Sequence, residues 1–179
     1  MKFAQDYVLF CHLTTQIEGE KNGDLLEQKG GQGFPYIVYM DAQGAVLAEH
    51  QGDRSAAGFT KTGKAVKDYA GAKARVDKGD KSAGIDLAIA ELILGKATAT
   101  DAEKKIQAAG TPTKEQRALI DTELLNAKIL EEVRSIDSDT AADAAGKKYY
   151  EILKSGKPAP TGEQAMQPFY MLAMRAASM

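Results

Sequence analysis

The sequence predicts an α/β unit of α+β character over residues 1–70, followed by an all-α region of antiparallel helical hairpins over residues 71–179. Three observations lead there. Short apolar runs rich in strand formers, punctuated by glycine and proline, fill the first fifty residues or so and then stop. From about residue 55 the apolar side chains recur at helical spacing, as in Ile85, Ile89, Leu92 and Ile93. Between these stripes stand helix start and stop signals, joined by loops short enough to favour antiparallel packing.

Taken in order, residues 7–13 (Tyr-Val-Leu-Phe-Cys-His-Leu) are almost continuously apolar, the pattern of a strand buried on both faces. Residues 22–29 read as a short helix that Gly30 and Gly31 stop by supplying a left-handed cap. Pro35 opens a strand over 36–40, a position where a missing N–H is tolerated. Residues 41–44 form a turn, and 45–49 return as the second strand of a hairpin.

Beyond it, Val66, Tyr69, Ala70 and Val76 mark one helical stripe, and Leu119, Leu124, Ala127, Leu130 and Val133 another. Ala141, Ala145, Tyr149, Ile152 and Leu153 mark a third. Thr100 with Glu103, Thr113 with Gln116, and Thr161 with Gln164 fit the capping-box spacing, in which each side chain satisfies the other residue's free N–H. Gly95, Gly110 and Gly156 close helices, with Pro112 and Pro158 just beyond two of them. Residues 169–174 are apolar on nearly every side, and Pro168 either starts that helix or kinks it. The expected total is roughly five helices in this region. Residues 78–88 resemble the turn and second helix of a tetratricopeptide-type hairpin, without a fixed ~34-residue period elsewhere.

Composition narrows the function. Of 179 residues, 44% are hydrophobic and 27% charged, as in an ordinary soluble globular protein. The net charge of −2 gives no electrostatic reason to expect nucleic acid or an anionic membrane as partner. No apolar run approaches the ~18 residues of a membrane span. The N-terminal residues do not read as a signal peptide, so a cytoplasmic protein is expected. Cys11 is the single cysteine, which excludes an internal disulfide and leaves no basis for a cysteine-based zinc site.

The sequence GFPYIVYMDAQGAVLAEHQG (residues 33–52), preceded by the run at 7–13 and the short helix and followed by a longer helix, resembles the C-terminal half of a thioredoxin-like domain. The likeness spans residues 1 to about 70. It implies that Pro35 is cis and that the family's first strand and Cys-x-x-Cys helix belong before residue 7, where six residues stand. A truncated βαββα unit remains. Dithiol–disulfide exchange needs an attacking and a resolving thiol, and this chain has one cysteine. The resemblance therefore implies a non-catalytic protein-interaction or scaffold module. The alternative is the C-terminal part of a thiol–disulfide oxidoreductase whose Cys-x-x-Cys segment lies outside this chain. The absent central strand would also leave two open sheet edges, to be met by closing up, by a second copy, or by more of a longer protein.

Gly33, Phe34 and Pro35 are the candidate peptide-binding loop, since such a loop in the family binds extended peptides by strand-like hydrogen bonds; the alternative is that the cis bond only shapes the turn. Cys11 is a candidate free thiol. On an extended strand His12 would face the other way, so the pair is not a nucleophile and base, and a buried structural cysteine is expected. His12 and His50, with Asp41 or Glu49, lack metal-ligand spacing. Residues 30–33 lack the lysine and flanking elements of a phosphate loop, and Asp137, Asp139 and Asp143 do not fit a calcium loop. No catalytic, cofactor-binding or metal residue is assigned. Met166, Phe169, Met171, Met174 and Met179 form a soft apolar surface suited to a protein partner or a homodimer.

Overall fold

A computed structural model describes residues 7–13, 18–19, 21–51 and 53–178 of the chain. Residues 1–6, Gly52 and Met179, which entered the reading above, lie outside the described residues. The chain divides into two compact units, Met1–Gly63 and Lys64–Met179.

The first unit has a short helix α1 (Leu25–Gln28) and a two-stranded antiparallel sheet, β1 (Val38–Met40) with β2 (Val46–Glu49). α1 stops where expected. Gly30 turns left-handed at φ +85, and its N–H and that of Gly31 return to the carbonyls of Glu27 and Leu26. A Cβ on Gly31 would stand 2.8 Å from the Tyr36 ring, so only glycine lets that ring close over the turn. The Phe34–Pro35 peptide is cis. Asp41 builds the hairpin turn: its Oδ1 accepts the N–H groups of Gln43 and Ala45, each at 2.9 Å. Val38 pairs with Glu49 and Tyr39 with Ala48, and the register is irregular between Tyr39 and Met40.

Residues 7–13 do not form the expected strand. Among the described residues no hydrogen bond engages the backbone of residues 8–13, and Val8 is 97% exposed. An apolar run becomes a strand only when a neighbouring edge supplies its hydrogen bonds, and here none does.

From Ala56 the chain is helical. α2 (Ala56–Asp77) continues unbroken through residue 70, and α3 (Ala83–Ile93), α4 (Ala99–Ala109), α5 (Lys114–Arg134), α6 (Asp139–Lys154) and α7 (Glu163–Ala177) follow. α3 with α4 and α6 with α7 pack as helical hairpins, and α5 packs against both. One core gathers Ile85, Ala88, Ile89, Ile106 and Ile120; the other gathers Ile129, Ala145, Tyr149, Ala165, Phe169 and Ala173. The buried phase of α5 falls on Ile120 and Ile129, while Leu119, placed on the expected stripe, is half exposed. A Cβ on Gly146 would meet the Leu172 backbone oxygen at 2.5 Å, so this glycine sets how closely α6 and α7 approach.

The caps differ in detail. Thr113 and Gln116 form the full reciprocal box. α4 starts instead at Thr98, whose hydroxyl accepts the Asp101 N–H, leaving Thr100 inside the helix. α7 starts at Gly162 rather than Thr161 and has no side-chain cap of its own. Asn126, buried on α5, takes that role: its Oδ1 accepts the N–H groups of Thr161 and Gly162 at 3.0 Å, and its Nδ2 donates to Glu123 at 3.1 Å. Glu131 does the same for α4 by accepting the Ala99 N–H at 2.7 Å. Pro168 lies in the interior of α7, not at its first position.

Asn126→Ala is expected to destabilise the fold by about 2 kcal/mol, because two N–H groups lose their shared acceptor. Glu123→Ala, which removes only the partner of Nδ2, is expected to cost less than about 1 kcal/mol. Urea denaturation of the two variants beside the parent checks the order.

Candidate functional site

The proline loop is held from both sides. The Tyr36 hydroxyl donates to the Lys29 carbonyl at 2.7 Å, and the Lys29 ammonium donates to the Gly44 carbonyl at 2.7 Å, tying the end of α1 to the hairpin turn. Burial, and secondly the nearby Glu49 charge, hold the Tyr36 phenol above its ordinary pKa, so it stays a donor. Gly33, Phe34 and Pro35 project from this frame, with Phe34 70% exposed. Among the described residues no hydrogen bond engages their backbone, which leaves polar groups on the loop free to meet an extended chain.

Behind the hairpin, the start of α2 anchors three side chains. Tyr39, buried, donates to the Phe59 carbonyl at 2.8 Å; Tyr7 donates to the Gly63 carbonyl at 2.5 Å; and their rings meet edge to face at 5.3 Å. His50 is buried over Phe59, with ring centroids 4.4 Å apart. Its Nε2 lies 3.0 Å from the Asp53 carbonyl and its Nδ1 lies 2.8 Å from the Thr62 hydroxyl. A carbonyl only accepts, so Nε2 carries a proton and donates to Asp53, while Nδ1 shares a hydrogen bond with the Thr62 hydroxyl. Both ring nitrogens are thereby used, and His50 is a structural clasp between β2 and α2. No sequence pattern signals this, because the partners of His50 are a main-chain oxygen and a threonine twelve positions on.

Cys11 is a free, exposed thiol, against the burial expected of a central-strand cysteine. The neighbouring His12 ring is half-buried, and its Nε2 is shielded without a hydrogen-bond partner. The structure brings neither residue to the proline loop in any hydrogen bond among the described residues.

Grooves and an apolar face mark the surface of the helical unit. A groove of about 440 Å³ has Ala65, Ala72, Ile89 and Ile93 among its apolar lining, with Arg75 and Asp86 at its edge. Those edge charges are already spent. Arg75 pairs with Asp80 at 2.8 Å and Asp86 at 3.3 Å, and Gln116 donates to Asp86 at 2.6 Å. The Ser82 hydroxyl, then Arg75, holds the Asp80 carboxyl below its ordinary pKa. A second groove of about 330 Å³ lies along α5 and α6 beside the Glu132–Lys148 pair. There Glu132 also accepts from the fully buried Tyr149 at 2.9 Å, and burial first, then this bond, raises the phenol's pKa. Arg175 of α7 pairs with Asp139 at 3.0 Å and Asp143 at 2.8 Å, so these acids bind one helix to the next. The exposed face of α7 presents Met166, Tyr170, Met171 and Met174. Among the described residues no three potential metal ligands cluster, and no helix is long and apolar enough to cross a membrane.

The sequence matches no protein-family model, no curated protein and no solved structure. The thioredoxin-like reading therefore rests on this chain's own residues.

Burial, and secondly the Tyr7 phenol, push Tyr39 up to about 12 from an ordinary 10.0. A raised folded-state pKa contributes stability that is present below pH ~10 and lost as the pH climbs towards ~12. Denaturation at a series of alkaline pH values is expected to show that loss, and Tyr39→Phe is expected to remove Tyr39's share of it. At neutral pH the same variant is expected to be about 1 kcal/mol less stable, through the lost hydrogen bond to Phe59.

Proposed function

We propose that this chain is a non-catalytic, thioredoxin-like protein-interaction or scaffold module of the cytoplasm, which contacts other proteins through its helical unit and its proline loop. The observation that carries the reading is the double-faced character of α7. Ala165, Phe169 and Ala173, spaced by four, are buried in the core. One position on in each turn, Met166, Tyr170 and Met174 make an equally regular stripe in solvent, with Met174 69% and the adjacent Met171 62% exposed. Contiguous exposed apolar area on a helix is costly in water and marks a contact surface more often than chance. Methionine suits such a surface because its unbranched side chain repacks around varied partners. The unpaired backbone of Gly33 and Phe34 adds a second contact of strand-like type.

One observation favours a second reading, the C-terminal part of a thiol–disulfide oxidoreductase: the exposed Cys11 thiol. A lone thiol opens a disulfide but cannot resolve the mixed disulfide that forms, so turnover would depend on cysteines outside this chain.

Two measurements separate the readings. With a photo-crosslinker at Met171, the protein is expected to capture a partner that Met174→Lys abolishes, while the same probe at the exposed Lys104 of α4 captures nothing. Equal capture at both positions contradicts the interaction surface. In an insulin-reduction assay the chain is expected to be inactive; activity lost in Cys11→Ser would favour the oxidoreductase.

A further inference from the structure

We propose that residues 8–13 pair with the same segment of a second copy of this chain, antiparallel and about a two-fold axis, to form a β-strand interface. The first support is exposure. Val8, Leu9, Phe10 and Leu13 are 97%, 70%, 65% and 65% exposed, while the His12 ring is half-buried. In an extended strand Val8 and Phe10 would stand on one face and Leu9 and Leu13 on the other, so apolar side chains of both faces are in water. The second is the backbone: among the described residues the N–H and C=O groups of 8–13 make no hydrogen bond, so a complete strand edge is available.

The segment's chemistry selects the occupant. It has no aspartate, glutamate, lysine, arginine, proline or glycine, and apart from His12 its side chains are Val8, Leu9, Phe10, Cys11 and Leu13. A short run of that kind pairs with itself without setting like charges opposite one another. A two-fold axis through the middle of such a run closes the contact as a dimer and leaves no repeating open end. Size sets the strength. Four apolar side chains expose several hundred Å², on the order of half of the ~800 Å² that each partner gives to a standard interface. An unsupported pair of strands is also marginal. The dimer is thus a micromolar one, in exchange with monomer. The axis falls near Phe10 and Cys11, so the two copies of Cys11 come within one or two positions of each other across the pair, where facing Cα atoms stand about 5 Å apart.

This interface is separate from the α7 face, and the test keeps them apart. Sedimentation equilibrium of the whole chain is expected to show mass rising from monomer to dimer across the micromolar range. Leu9→Lys, at a largely exposed position, is expected to weaken the dimer about tenfold or more, with an unchanged helical spectrum and urea midpoint. Diamide, which takes one hydrogen from each of two thiols as they join, is expected to link Cys11 to its copy faster in the parent chain than in Leu9→Lys. A parent that stays monomeric throughout overturns the proposal. So does a dimer that Leu9→Lys leaves intact, or one that Met174→Lys dissolves instead. Partner capture through α7 is expected to survive Leu9→Lys, so loss of one reading leaves the other measurable.

Discussion

Helix α5 has to serve two cores along one rod. Ile120 packs with Ile85, Ile89 and Ile106, and Ile129 packs with Tyr149 and Phe169. These isoleucines are nine residues apart, or about 13 Å along a helix, so the two cores lie side by side along α5. Both helical hairpins take their place from this arrangement. Polar groups on α5 reinforce it. Gln116 reaches α3, Lys128 and Glu131 reach α4, Glu132 holds Tyr149 and Lys148 of α6, and Asn126 satisfies the residues that lead into α7. The two exposed ion pairs among these, Lys128–Glu103 and Lys148–Glu132, are worth little singly. Asn126 differs because its side chain is buried and one oxygen accepts two main-chain N–H groups.

The first unit relies less on apolar packing. Its small sheet has two strands, and two strands alone are marginal in water. Tyr39, Tyr7 and His50 compensate by binding carbonyl and hydroxyl oxygens at the start of α2, with Phe59 beneath the His50 ring. The proline loop then extends from a frame fixed at both ends, while the segment at 8–13 remains unpaired.

The helices were legible because their signals are local. Periodicity placed α2, α3, α5 and α6, and the stops at Gly95 and Gly110 bracketed α4; these signals, the Thr113–Gln116 box, the stop at Gly30 and the Asp41 turn each depend on residues a few positions apart. Misreadings arose where the deciding partner was distant. Thr161 fits a capping box by spacing, but α7 starts at Gly162, and Asn126, thirty-five positions before Thr161, holds the N–H groups of both residues. Thr98 with Asp101 and Thr100 with Glu103 share the same spacing, and the helix starts at the former, whose hydroxyl accepts the Asp101 N–H. On α5, Leu124, Leu130 and Val133 of the expected stripe pack against the two cores, but Leu119 is half exposed and Ile120 takes the buried place, since the two are equally apolar and only the position of the α3–α4 hairpin chooses between them. The run at 7–13 has the composition of a buried strand, but a strand also requires an edge, and composition carries no information about one. Of the candidate site, the proline loop and the methionines on the exposed face of α7 were visible in the sequence, but Phe169, expected among them, is fully buried in the core, because its phase on the helix matches Ala165 and Ala173. The exposure of Cys11 and the His50 clasp were not visible, because both depend on tertiary neighbours.

Both proposed contacts depend on apolar surface left in water, at α7 and at residues 8–13. Amide hydrogen exchange on dilute protein tests that most directly. The account expects the amides of α5 around Ile120 and Ile129 to be among the slowest, while those of residues 8–13 exchange at the rate of an unstructured peptide. Strong protection of 8–13 in the dilute monomer would mean that the segment is already paired within its own chain, and that the free edge on which the account depends does not exist.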